Sequence, residues 1–136
     1  MPELSTHYDL AIACLIAAAA LIALTEFPVA WARRQMDGRY DNRNPRTQQA
    51  RLTGFGARAL GAHQNTIEAF PVFAAGLLLA LLFRADPGWV NGLAMLFIAS
   101  RLTYIACYLA DLHWLRSLIW MVGFGASIAL MLLPLI

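Results

Sequence analysis

Four long apolar blocks, joined by three polar connections, constrain this chain more than any other feature. A helix that crosses a bilayer needs about 20 mostly apolar residues, because each adds about 1.5 Å across a core roughly 30 Å thick. Residues 117–136 meet this with no charge at all. Residues 10–31 contain one charge, Glu26, and residues 88–110 contain one, Arg101. The remaining block is uncharged only over 69–83, so it must reach back through Glu68, Asn65 and His63 to span. Only 13% of the residues are charged, about half of what soluble domains carry. A soluble bundle would need a polar outer face, which four such stretches do not leave. The expected fold is an all-α membrane protein. It is a four-transmembrane-helix bundle of one domain over residues 1–136, with spans at 8–31, 57–83, 88–110 and 115–135.

The connections set the direction of the chain. Residues 84–88 read Arg-Ala-Asp-Pro-Gly, a tight turn between the second and third spans. A second short turn, residues 111–113, joins the third and fourth. The long connection, 32–56, holds six arginines (Arg33, Arg34, Arg39, Arg43, Arg46 and Arg51) against Asp37 and Asp41. The excess of arginine on this loop places it in the cytoplasm and both termini on the other side. The same arginines suit contact with lipid headgroups. The leader carries Glu3 and Asp9 where a signal peptide carries positive charge, so the first span is expected to stay in the membrane. All ten basic residues are arginine, a bias that fits a GC-rich genome and, for such a bacterium, the inner membrane. Nothing points to nucleic acid.

Charges inside a span cost at least about 2.5 kcal/mol and usually face a partner or a wet cavity. On the second span, Arg58, Asn65 and Glu68 fall within a sector of about 80° at 100° per residue. On the third, Arg101, Tyr104 and Tyr108 fall within about 60°. Glu68 and Arg101 each lie roughly 15 Å in from the cytoplasmic end. Two readings fit: an ion pair locking two helices, or a polar cavity for a charged ligand. The second accounts for Asn65, Tyr104 and Tyr108, which exceed what one pair needs. Arg116, starting the fourth span, stands at the mouth of that cavity.

Other residues read more plainly. His63 points about 140° away from the Arg58 stripe and suits a helix contact. Glu26 lies two turns before Arg33 and suits a local counter-ion. Trp31, Trp89 and Trp114 fall at span ends, where indoles sit at the membrane interface. Pro28 and Pro71 suit kinks within membrane helices. Cys14 and Cys107 fall near opposite faces and read as small buried hydrophobes. No metal-ligand spacing occurs.

Three segments resemble the membrane-associated proteins in eicosanoid and glutathione metabolism, the MAPEG family. They are Ala32-Arg33-Arg34 at the end of the first span; residues 58–71, with Arg58, Asn65, Glu68 and Pro71; and residues 101–108, with Arg101, Tyr104 and Tyr108, followed by Arg116-Ser117. The resemblance implies a left-handed bundle assembled as a homotrimer, with glutathione as cosubstrate between neighbouring subunits near the cytoplasmic face. It implies that Arg33, Asn65, Glu68, Tyr104 and Tyr108 hold the tripeptide, with Arg58 and Arg101 on the same stripes. Arg116, or alternatively Arg34, would stabilise the thiolate. Arginines suit the two carboxylates through forked hydrogen bonds, and Glu68 suits the ammonium. An arginine beside a thiol favours the thiolate, which is the nucleophile. Two positions depart from the family: Ala69 stands where the eicosanoid enzymes carry a tyrosine, and Gly61 where several carry an arginine.

The implied activity is a glutathione-dependent transferase or peroxidase of the microsomal type, acting on a lipophilic electrophile that enters from the bilayer. Two alternatives are a non-catalytic protein that keeps the scaffold, motivated by Gly61 and Ala69, and a small proton-coupled transporter using Glu26 or Glu68. The long arginine-rich loop argues against the transporter.

Overall fold

The computed structural model describes the backbone of residues 2–136 and the side chains of residues 7–136, so the Glu3 side chain lies outside it. Helix α1 runs Pro2–Asp37, α2 Pro45–Ala50, α3 Gly54–Leu82, α4 Pro87–Leu109 and α5 His113–Leu132, with a single 3₁₀ turn at Leu133–Leu135. Four of these, α1, α3, α4 and α5, are long and apolar enough to cross a membrane. In hydrocarbon no water can bond to the backbone, and helices satisfy every internal peptide group themselves. The helices outrun the apolar blocks: α1 begins before residue 8 and ends six residues past Trp31, and α3 starts at Gly54. Helix α2 adds a short turn to a connection expected to be irregular. Both internal prolines, Pro28 and Pro71, are accommodated without ending their helices.

Helix α5 packs most closely on α4, while α1 packs on α3 and α4. Stacked Phe73 and Phe97, with centroids 3.9 Å apart, join α3 to α4. Around them Leu77, Val90, Ala94 and Leu130 are fully buried. Small residues let the backbones approach, as membrane helices require where apolar burial no longer drives association. Gly76 of α3 faces the Ser127 carbonyl of α5, and Gly123 of α5 faces the Ser100 hydroxyl of α4. Cys14 and Cys107 are buried free thiols, Cys14 within the core.

The two short turns are hydrogen-bonded helix ends. At the α3–α4 turn, Ala85 N–H donates to the Ala80 carbonyl (2.9 Å), with Arg84 at φ +54°. At the α4–α5 turn, Leu112 N–H donates to Cys107 (2.9 Å), with Asp111 at φ +63°. Each is the left-handed helix-ending motif, here without its usual glycine. Asp86 then caps α4 by accepting from Trp89 N–H (3.1 Å). Asn91 ties the start of α1 to α4 by inserting its amide into one helical step. It accepts from Ala11 N–H (3.0 Å) and donates to the His7 carbonyl (2.8 Å). Tyr8 donates to the Ala85 carbonyl (2.6 Å), so the start of α1 sits at the α3–α4 turn. Arg58 and Asp111 mark the opposite end, 3.9 Å apart, beside the 38–53 connection.

A Cβ on Gly76 would stand 2.6 Å from the Ser127 carbonyl, a backbone atom that cannot step aside. Gly76→Val is therefore expected to destabilise the bundle by about 1–3 kcal/mol through overpacking, read as a lowered midpoint of thermal unfolding in detergent.

Candidate functional site

Helix α3 carries Asn65 and Glu68 on one face because they lie three residues apart. Helix α4 carries Arg101, Tyr104 and Tyr108 on another for the same reason. The bundle brings these faces together. Asn65, Glu68 and Arg101 line one cavity of about 110 Å³, closed on the far side by Phe97 of α4 and by Trp120, Phe124 and Ser127 of α5. The α5 residues stand at i, i+4 and i+7, the spacing of one helix face.

Arg101 decides the electrostatics of this cavity. It is buried to 3% exposure, at mid-span, and its guanidinium lies 4.2 Å from the centroid of the Tyr104 ring. Its Nε and Nη2 are buried and reach no hydrogen-bond partner. Glu68 does not neutralise it: among the described residues the two come no closer than 4.0 Å, so they form no ion pair. Glu68 instead accepts from the Asn65 amide (3.4 Å) and is exposed, while the Asn65 carbonyl oxygen is buried without a partner. The ion-pair reading of the two stripes therefore gives way to the cavity. Unpartnered buried donors on a cation favour an anion, since charge-assisted hydrogen bonds are the strong ones.

From Arg101 a rail of cations and rings runs toward the loop end. Tyr104 meets Tyr108 edge-on at 5.6 Å, and the Arg116 guanidinium lies 4.2 Å from the centroid of the Tyr108 ring. Stacking on the faces of tyrosines orients both guanidinium planes. Gly61 is part of this arrangement, because a Cβ there would overlap the Tyr108 hydroxyl. The missing side chain at Gly61 is thus filled by Tyr108, and Ala69 leaves open the cavity wall beside Glu68.

The remaining sequence candidates stand elsewhere. Arg58 donates to the Leu109 carbonyl (3.4 Å) and approaches Asp111, closing the C-terminal end of α4. Arg33 is fully buried, and its own chain bonds two of its three guanidinium nitrogens, Nη1 having no hydrogen-bond partner. Its Nε donates to Gln48 (2.8 Å), its Nη2 to the Asp41 carbonyl (2.8 Å), and Tyr40 lies 3.8 Å from its guanidinium. Gln48 continues outward to Asp37 (2.9 Å), which pairs with Arg51 at 2.6 Å. Asp41 accepts from Asn44 and Arg43 N–H, and the first of these bonds holds its carboxyl below the usual range. Arg34, one residue on from Arg33, is exposed. His63 joins α3 to α1, near Thr25 and Glu26, and Glu26 stands 3.8 Å from Arg33. Sequence reasoning missed Gln48, Trp120 and Phe124. The aromatic pair had a signal in its spacing of four, and Gln48 had none.

Two changes test these arrangements. Arg33→Ala removes the bonds to the Asp41 carbonyl and to Gln48 Oε1, which keeps only the Asp41 N–H (3.1 Å), and is expected to cost on the order of 3 kcal/mol. It should also raise protease sensitivity of the 38–53 connection. Gly61→Ala destabilises wild type, but its cost falls by about 1 kcal/mol or more where Tyr108 is already leucine. Thermal unfolding of the four proteins in detergent measures that coupling.

The model of the MAPEG family matches residues 10–136 of this chain. No curated protein sequence and no solved structure matches it significantly.

Proposed function

The chain belongs to the MAPEG family and is a multi-pass integral membrane protein, and from this frame we propose that it is a membrane-bound, glutathione-dependent transferase or peroxidase acting on lipophilic electrophiles. One observation carries the reading: a buried arginine, Arg101, with two unpartnered donors in the same cavity as Glu68 and Asn65. The donors suit a carboxylate of glutathione, and the free carboxylate of Glu68 suits its ammonium. The Asn65 carbonyl, also unpartnered, accepts a peptide N–H. Tyr104 and Tyr108 stand between Arg101 and Arg116, outside the cavity lining, and Arg116 is a guanidinium that suits the thiolate. The thiol proton passes to water, the guanidinium stabilises the thiolate, and the sulfur forms a bond to the electrophilic carbon as the leaving group departs with its electron pair.

The working protein on this reading is a homotrimer with the tripeptide between subunits. A cavity of about 110 Å³ falls short of the roughly 300 Å³ at which small-molecule pockets begin. Glu68 is exposed at the depth of the hydrocarbon, where an uncovered carboxylate is costly. A second copy of the chain would cover it and complete the pocket. Arg33 then serves the fold of the loop, Arg58 the end of α4, and Arg34 remains free to reach a neighbouring subunit. The arginine-rich connection faces the cytoplasm and anionic lipid, both termini face the other side, and the membrane is the inner one if the source is bacterial.

A non-catalytic scaffold was motivated by Gly61 and Ala69. The fit of Tyr108 onto Gly61 turns one of those departures into part of the site.

Calorimetry in detergent is expected to show glutathione binding that weakens about 30-fold in Arg101→Ala, near 2 kcal/mol for one charge-assisted hydrogen bond. Turnover of a chlorodinitrobenzene-type electrophile should fall about 100-fold in Arg116→Ala, the effect of removing one oxyanion donor. Absence of both binding and turnover in the wild-type trimer would overturn the proposal.

A further inference from the structure

The 38–53 connection folds around one side chain and leaves a bowl beyond the end of the first apolar block. Gln48 is 1% exposed. Its oxygen accepts from Arg33 Nε (2.8 Å) and Asp41 N–H (3.1 Å), and its nitrogen donates to Asp37 (2.9 Å) and the Arg39 carbonyl (3.0 Å). The end of α1, the 39–41 segment and α2 are thus tied to one point. The cavity they surround has a volume of about 750 Å³, within the range of small-molecule sites. Its walls are set before any ligand enters, which lowers the cost of binding.

Three guanidiniums, from Arg39, Arg43 and Arg51, line this bowl together with the carboxylates of Asp37 and Asp41. Both carboxylates are already engaged. Asp37 Oδ2 accepts from Gln48 and Arg51, and Asp41 Oδ1 accepts from Arg43 N–H (2.9 Å) and Asn44 N–H (3.0 Å). Among the described residues, neither Arg39 nor Arg43 has a carboxylate within 4.0 Å. Arg33, 3.8 Å from the centroid of the Tyr40 ring that lines the same bowl, adds its charge. The sign of the field shows at Asp41. Its carboxyl is held below the usual range first by the Asn44 N–H, and also by the Arg43 N–H and the charges of Arg33 and Arg39. The amides of Asn42 and Asn44 add further donors to the wall.

We propose that this bowl is a phosphate-binding site, separate from the cavity at Arg101 and independent of glutathione. Arg39 and Arg43, four residues apart, are its uncommitted clamps. A phosphate group carries about 1.5–2 negative charges at pH 7 and three acceptor oxygens, enough for two forked guanidiniums. A carboxylate is satisfied by one fork, so it makes less use of the site. Inorganic phosphate and the phosphomonoester headgroup of a lipid such as phosphatidic acid share this chemistry.

The test uses the full chain in a neutral detergent, with arginine labelled at Nε and followed by NMR as inorganic phosphate is added at constant ionic strength. Arg39→Gln and Arg43→Gln assign the two signals. Both signals are expected to shift saturably, and about tenfold more acetate should be needed for the same shift. Either substitution should weaken phosphate binding about fivefold, the upper end for an exposed ion pair. Arg46→Gln removes equal charge outside the bowl and should change binding by less than about twofold, because distant exposed charges are screened. A second arm places the chain in phosphatidylcholine nanodiscs with and without phosphatidic acid. A shift of the same two signals on phosphatidic acid assigns the site to a lipid headgroup, and a response to added phosphate alone assigns it to a soluble ligand. A uniform drift of the exposed arginines, equal effects of Arg39→Gln and Arg46→Gln, or no response in either arm overturns the proposal.

Discussion

A guanidinium cannot rest in hydrocarbon unless protein encloses it, and Arg101 imposes that demand on three helices at once. Its position in the middle of α4 means that α3 and α5 must close over it, and at 3% exposure they do. That closure depends on the small residues. Gly76 against the Ser127 carbonyl and Gly123 against Ser100 bring α5 near enough to place Trp120 and Phe124 over the cavity. The same closure lowers the polarity around Arg101, which strengthens any interaction it makes with an anion. The packing of the bundle and the affinity of the cavity thus follow from one requirement.

The two buried arginines meet that requirement to different degrees, Arg33 leaving one nitrogen without a hydrogen bond and Arg101 two. Arg33 is enclosed by groups of its own chain: Gln48, the Asp41 carbonyl, Tyr40 and, at longer range, Glu26. It is consumed by structure and turns a flexible basic connection into a folded one. Arg101 keeps two donors free over a tyrosine face. Leaving such donors unmet costs folding energy, which a ligand anion can return as binding energy. The difference separates an arginine that builds the loop from one that leaves donors open in a cavity.

Much of this was legible in the residue pattern. Four apolar blocks of spanning length and the polar stripes at Asn65/Glu68 and Arg101/Tyr104/Tyr108 emerge from spacing and composition, and the motif of residues 58–71 carries the family resemblance. The limits were equally physical. Helical ends depend on whether the backbone finds partners beyond the apolar stretch, so α1 and α3 outran their hydrophobic blocks. Nothing in the local pattern shows Gln48, fifteen residues away, reaching back to Arg33. Gly61 looked like a loss because its replacement, Tyr108, comes from another helix.

The sequence by itself determined that the chain spans a membrane four times and which polar side chains share a helix face. These follow from hydropathy and helical periodicity, properties of neighbouring residues. Only the tertiary structure decided that Glu68 and Arg101 share a cavity without pairing, that Arg33 is bound by the loop, and that His63 stands between a hydroxyl and a carboxylate. Those are distances between helices, set by how small residues let backbones approach, and no local pattern encodes them.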